Sequence, residues 1–478
     1  MNYEMVIGLE VHVELATESK LFCGCSADFG AGANENVCPA CAGMPGMPAV
    51  LNRRAVELGI AAAIVTNSEI SGVMSFDKKN YFYPDLPASY QITQFFAPIC
   101  RNGYVDIDTA AGKKRITLKQ IHIEEDAGKL IHDAAGGVTL VDFNRTSVPL
   151  IEVVSNPDFR TSEEVIAYLE ELRSLLSFAG VSDCKMQEGS MRCDVNISLR
   201  EAGTDALGVR AEIKNMSSLK AITAAIAYER DRQTYALETG GETLTQETRG
   251  WDDDRGETFS MRDKEDADDY RYFPNPELMP VLISEEWIKA VRGNLPEPAR
   301  VKFERLTNEL GLSEYDSSII TANKTLSDIF DATMARVNLP KEVANWIIVE
   351  LLGIQAGDNK SADDIELDCV KFASLIELVN EKVINRNVGK KLLVKVVREG
   401  IDPRAYVEEH DLGMISDSSA VEQAVLEVLS ENRQPVREYK AGNEKAAGFL
   451  MGIVMRKLGG KADPAVVRET LADCLSRD

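Results

Sequence analysis

The chain has 478 residues, 44% of them hydrophobic, and 53 Lys and Arg against 77 Asp and Glu give a formal net charge of −24. That length and composition exclude a disordered or fibrous chain and leave room for about three domains, and the acidic balance excludes a general nucleic-acid coater, so any RNA contact must use a local basic patch. No apolar run approaches the ~20 residues of a membrane helix, no leader pattern opens the chain, and nine unevenly spread cysteines argue against a disulfide framework; a cytoplasmic protein is the expectation.

The first predicted strand alternates strictly from Leu9. Leu9, Val11, Val13 and Leu15 take one face, and Glu10, His12 and Glu14 take the other. Next comes Cys23-Gly-Cys25, then twelve residues, then Cys38-Pro-Ala-Cys41. Two nearby thiol pairs can complete a tetrahedral Zn²⁺ site, which with four thiolates would be structural. A redox C-x-x-C is the alternative, but it leaves Cys23 and Cys25 unexplained.

A strand over Ile116–Ile123 runs into Glu124-Glu125-Asp126, and Glu152 sits in the apolar run 149–154. Alternation returns at 191–200, where Arg192, Asp194 and Asn196 share a face, and at 209–214, where Arg210, Glu212 and Lys214 do. One such strand is an ordinary wet face of an antiparallel sheet. In one sheet, however, Glu10, His12, Glu125, Asp194 and Glu212 converge with Arg192 and Lys214. Oxygen ligands with one imidazole suit Mg²⁺ or Mn²⁺, and cations beside them suit phosphate. That combination is a phosphoryl-transfer layout without a P-loop, since no G-x-x-x-x-G-K-S/T motif is present. His122, His132 and His410 show no obvious partners and read as structural.

From about Pro296 the pattern changes to amphipathic helices, two of which carry Pro in the first turn, at Pro298 and Pro340. The predicted division is 1–292, 293–405 and 406–478. Between 433 and 468 eight cations, among them Lys440, Lys445, Arg456, Lys457 and Lys461, face three anions, a local excess of +5 in an acidic chain. Such a patch suits shape-reading, salt-sensitive backbone contacts with RNA.

Several longer motifs stand in order along the chain: Gly8-Leu-Glu-Val-His-Val-Glu-Leu, Lys79-Asn-Tyr-Phe-Tyr-Pro-Asp85, Glu124-Glu-Asp-Ala-Gly-Lys129, Val141-Asp-Phe-Asn-Arg145, Pro149-Leu-Ile-Glu-Val-Val-Ser155, Gln187-Glu-Gly-Ser-Met-Arg-Cys-Asp194 and Asp269-Tyr-Arg-Tyr-Phe-Pro274. Together they resemble the GatB family of the GatCAB tRNA-dependent amidotransferases. The resemblance implies an α+β fold: a mixed, mostly antiparallel cradle similar to glutamine synthetase, then an all-α helical domain and a small YqeY-like tail that binds tRNA. It also implies an activity, ATP-dependent phosphorylation of the side-chain carboxylate of Glu-tRNA(Gln) or Asp-tRNA(Asn) followed by amidation. The ammonia comes from the amidase component, GatA, and the small component, GatC, completes the heterotrimer.

For the site, the resemblance implies Glu10, His12 and Glu125 as Mg²⁺ ligands, with Glu124, Asp194 and Glu212 beside them and Glu152 in a catalytic role. It places Lys79 and Tyr81 at the mouth of an ammonia tunnel, and matches the four cysteines to a zinc-bearing branch. The chain departs from the pattern at Ala88, where a Lys is usual, and at Gly442-Asn-Glu-Lys445, where Gly-Lys-x-Lys is usual.

Overall fold

The computed structural model describes residues 3–133, 136–263, 267–358, 360–414, 418–441, 443, 445–459 and 461–476. Gly442, Glu444 and Gly460 therefore lie outside the described residues. The chain divides into two compact units, one ending at Pro298 and one beginning at Ala299.

The first unit is mixed α/β and is built around strand β1 (Tyr3–Glu14). Its odd-numbered residues Leu9, Val11 and Val13 are essentially fully buried. Burying each such side chain favours folding by about 1.5–3 kcal/mol. A one-residue slip would drive Glu10, His12 and Glu14 into the core instead, so the apolar pattern itself sets the register. The other principal strands are β2 (Gly112–Glu125), β3 (Pro149–Ser155), β4 (Met191–Glu201), β5 (Ala211–Lys214), β6 (Glu247–Asp252) and β7 (Glu257–Asp263). They form a ten-stranded sheet in the order β7-β6-β5-β4-β1-β3-β2, extended through Cys100–Arg101 to Glu69–Ile70, with Tyr104–Thr109 also paired to β2. Neighbours are antiparallel except β5 and β6.

Helices α1 (Arg53–Val65), α2 (Ser162–Phe178) and α3 (Leu219–Thr239) share one core with the sheet. Each starts at a polar residue whose side chain accepts a backbone N–H of the first turn: Asn52, Thr161 and Ser218. Gly59 lets α1 lie close against the sheet, since a Cβ there would stand 2.8 Å from Ile99 Cδ1. With the core on one side, the even-numbered face of β1 is left for polar work.

The second unit is helical and holds two separate apolar clusters. One runs from Leu306 to Val407 around Trp346 and Phe372, and the other from Val421 to Leu475. Among the described residues no helix is long and apolar enough to cross a membrane.

Candidate active site

The polar face of the sheet lines a cleft of ≈ 680 Å³. Strand register builds it. On one row across four strands, His122 of β2 stands opposite Glu152 of β3, Glu152 opposite His12 of β1, and His12 opposite Arg192 of β4. Two residues along, Glu10 stands opposite Asp194, while Glu212 of β5 stands opposite Asn196.

At one end of the cleft, ligand atoms of His12, Glu124 and Glu152 lie within 4.8 Å of one another. His12 Nε2 is 3.6 Å from Glu152 Oε2 and 3.8 Å from Glu124 Oε1. His122 stands behind both carboxylates, its Nε2 3.2 Å from Glu124 Oε2 and 3.1 Å from Glu152 Oε2. The Thr93 hydroxyl also donates to Glu124. Burial works to lower the His122 pKa, but the charge on Glu152 and Glu124 outweighs it and raises it to about 10. Burial likewise works to raise Glu152, yet the charge and hydrogen bond of His122, with His12 and Lys79, hold it well below the usual carboxylate range. Two hard carboxylates and one imidazole, oriented by a second imidazole, fit Mg²⁺ or Mn²⁺.

At the other end Lys214 pairs with Asp194 and, at 3.2 Å, with Glu212. Burial opposes its charge, but these two carboxylates hold Lys214 above the usual lysine range. Arg192 pairs with Asp126, which Arg145 also reaches at 3.5 Å. Glu10 accepts a hydrogen bond of 3.0 Å from Asn196 Nδ2. Lys79 Nζ lies 4.6 Å from the Tyr270 ring centroid and 5.5 Å from that of Tyr81, and burial raises the Tyr81 hydroxyl pKa. Glu10, His12, Glu124, Glu152, Asp194, Glu212, Arg192, Lys214, Lys79 and Tyr81 therefore share one cleft.

Glu125 is not brought to that group. Alternation along β2 turns it to the face opposite Glu124, where Ile92 N–H donates to Oε1 at 2.8 Å. It lines a second cavity of ≈ 210 Å³ with Tyr90, Ser147 and Ala88. Burial pushes its pKa up to about 7. The expectation of Glu125 as a ligand beside Glu10 and His12 is corrected here: neighbours in a strand point to opposite faces. His122 is corrected in the other sense: it does have partners, Glu124 and Glu152, which it supports from behind the cleft. Its spacing of two from Glu124 was the available signal. Asp126, Tyr270 and Tyr272 also line the cleft and were not singled out.

The Sγ atoms of Cys23, Cys25, Cys38 and Cys41 lie within 4.8 Å of one another, those of Cys38 and Cys41 at 3.9 Å. Four thiolates around Zn²⁺ stand about 3.8 Å apart, so the cluster fits that ion. A hydrogen bond shared with Cys23 pulls Cys41 below the usual thiol range against the effect of burial, helped by the Cys38 N–H and the Lys20 charge. In the helical tail, Lys457 pairs with Glu427 at 2.9 Å and Lys461 with Asp411 at 2.9 Å. Lys440, Lys445 and Arg456 are exposed.

Residues 5–289 match the family model of the GatB/GatE catalytic domain, and residues 328–475 match that of the GatB domain. The chain is 51% identical over 475 residues to the B subunit of the aspartyl/glutamyl-tRNA(Asn/Gln) amidotransferase of Lachnoclostridium phytofermentans, covering 99% of each chain. It is 48% identical to the like-named protein of Agathobacter rectalis, covering 99% of this chain and all of the relative. For the like-named protein of Thermodesulfovibrio yellowstonii the figure is 46%, with 98% and 99% covered.

Proposed function

The chain belongs to the GatB family, the B subunits of aspartyl/glutamyl-tRNA(Asn/Gln) amidotransferases, and on that premise we propose how its cleft carries out the reaction. It is one component of a tRNA-dependent amidotransferase, a ligase that converts the side chain of a misacylated Glu-tRNA(Gln) or Asp-tRNA(Asn) to its amide. A carboxylate is inert to ammonia until one oxygen becomes a good leaving group. ATP supplies that change: its γ-phosphoryl group passes to a side-chain oxygen of the esterified Glu or Asp, and ADP leaves. Ammonia then attacks the acyl carbon. The C–N bond forms, the C–O bond breaks, the nitrogen sheds a proton, and phosphate departs with one oxygen of the original carboxylate.

The observation that carries this reading is the row His122, Glu152, His12, Arg192 across four adjacent strands. It has a carboxylate–imidazole group beside Arg192, a cation of the kind that suits phosphate. His12, Glu124 and Glu152, with Glu10 next to them on β1, would hold Mg²⁺, which neutralises charge on a transferring phosphoryl group when bound. Arg192 and Lys214 are positioned for phosphate by Asp126 and by the pair Asp194 and Glu212. Lys79 and Tyr81 stand where ammonia delivered by the amidase component, GatA, would enter, with the small GatC completing the heterotrimer. The four cysteines would hold a structural Zn²⁺.

By function we divide the chain into 1–292 for the chemistry, 293–405 as a helical domain and 406–478 as a tRNA-binding tail. The separate apolar clusters of the second unit support a division between its two halves, with Val407 packed in the first cluster and Val421 in the second. Lys440, Lys445, Arg456, Lys457 and Lys461 are the tail cations that meet the tRNA backbone, and the cytoplasm is where that substrate and ATP meet.

The test is turnover by the heterotrimer with ammonium replacing glutamine, supplying Glu-tRNA(Gln) and Asp-tRNA(Asn) separately. ATP consumption coupled to amide formation is expected. A complex that binds either tRNA without consuming ATP would make this chain an RNA adaptor instead.

A further inference from the structure

Lys20 carries no exposed surface. Its Nζ donates to the Asn36 carbonyl at 2.7 Å, to the Phe143 carbonyl at 3.2 Å and to Cys41 Sγ at 3.6 Å. A buried ammonium is costly unless it is paired and hydrogen-bonded, and here its three donors are used on two segments, the cysteine loop at Asn36 and Cys41 and the chain at Phe143. Cys41 Sγ accepts a second hydrogen bond, from Cys38 N–H at 3.2 Å. Four thiolates around a divalent ion carry a net charge of −2, which a part-buried knuckle cannot leave uncompensated.

We propose that Lys20 is the positioning residue of the four-cysteine cluster: its ammonium offsets the charge of the metal–thiolate group at Cys41 Sγ, while its bonds to the Asn36 and Phe143 carbonyls fix the cysteine loop against the 141–145 segment. That segment is bound to the same loop by further bonds, Asn36 N–H to Asn144 Oδ1 at 2.9 Å and Phe143 N–H to Asn34 Oδ1 at 2.8 Å. Lys20 is the member of this seam that touches a sulfur. The proposal rests on the reading of the cluster as a zinc site.

The experiment compares the full chain as wild type, Lys20→Met and Lys20→Arg. Zinc is measured per chain, its retention by competition with a chromophoric chelator, and the thiolate-to-metal band after Co²⁺ substitution. One zinc per wild-type chain is the premise, and a wild type that takes up none fails the zinc reading, not the Lys20 assignment alone. With zinc bound, Lys20→Met is expected to hold it about 10- to 100-fold more weakly. Its Co²⁺ band is expected at lower energy, because a thiolate that loses a donor gives up charge more readily. Lys20→Arg is expected to stay nearer the wild type on both readouts. Equal retention and an unmoved band in Lys20→Met overturn the proposal. Where Lys20→Met does not fold, Lys20→Gln replaces it. Folding of the neutral variants recovered by excess zinc supports the assignment, because metal binding and folding are linked, and folding that zinc does not recover overturns it.

Discussion

His12 stands directly opposite Glu152 across β1 and β3, its Nε2 3.6 Å from Oε2. Neither residue is near the other in sequence, and both depend on a register set by apolar neighbours. Glu152→Gln keeps the shape and removes the charge, so it is expected to lower ATP-dependent amidation by about 100- to 1000-fold. The thermal midpoint should fall as well, because the buried His122 imidazolium 3.1 Å away loses one of its two carboxylate partners. The amide formed per minute with saturating ATP, beside a melting curve, checks both.

His122 supports the two carboxylates from behind, at 3.1 and 3.2 Å. Removing a group that orients metal ligands weakens metal binding by about 10- to 100-fold. His122→Asn should therefore raise the Mg²⁺ concentration needed for half-maximal ATP consumption by that factor, with excess Mg²⁺ restoring much of the rate. A loss of rate that Mg²⁺ does not relieve would argue for a direct chemical role.

Glu124 and Glu125 are adjacent in sequence but belong to different cavities. Glu124→Gln is expected to move the Mg²⁺ midpoint strongly, while Glu125→Gln moves it by less than about threefold, an amount worth under ~0.7 kcal/mol. A Mg²⁺ titration of both variants decides it.

The raised Glu125 pKa has a consequence for stability. Folded, the group holds its proton up to about pH 7, whereas the ordinary value is 4.5. Between those values the native state binds more protons than the unfolded one, so stability from this group is full at low pH and falls as pH rises through 7. Glu125→Gln removes that dependence. Its advantage in stability over the wild type is expected to grow from pH 5 to pH 8, reaching about 1–3 kcal/mol. Denaturant melts of both proteins across that range measure it, and a difference that shrinks would contradict the assignment.

Lys440, Lys445 and Arg456 are among the exposed tail cations. Each one replaced by Gln should weaken tRNA binding and reduce the slope of log K against log salt by roughly one. Filter binding at several salt concentrations measures this.

Much of the site was readable before folding because strands alternate. Glu10 and His12, like Asp194 and Arg192, had to share a face once Leu9, Val11, Cys193 and Val195 were buried. The cysteine spacing was likewise sufficient to bring four thiols together. What alternation alone cannot supply is the pairing between strands and the phase at a strand's end. The β2–β3 pairing contains a register shift at Val154/Ser155, and that pairing decides that His122 meets Glu152. At the strand's end the polar run Glu124-Glu125-Asp126 has no apolar position to separate inward from outward, so the pattern does not show that Glu125 faces away from Glu124. The Arg145–Asp126–Arg192 contacts join loop and strand residues far apart in the chain, and no local pattern marks them.

In this mechanism the side-chain carboxylate is phosphorylated before it is amidated. Glu-tRNA(Gln) carrying ¹⁸O in both side-chain carboxylate oxygens, turned over by the heterotrimer with ATP and ammonium, tests it directly by mass analysis of the phosphate released. One ¹⁸O in each phosphate is expected for every amide formed. Phosphate free of ¹⁸O, with amide still produced, would mean that the carboxylate oxygen never leaves with phosphorus and would contradict this mechanism.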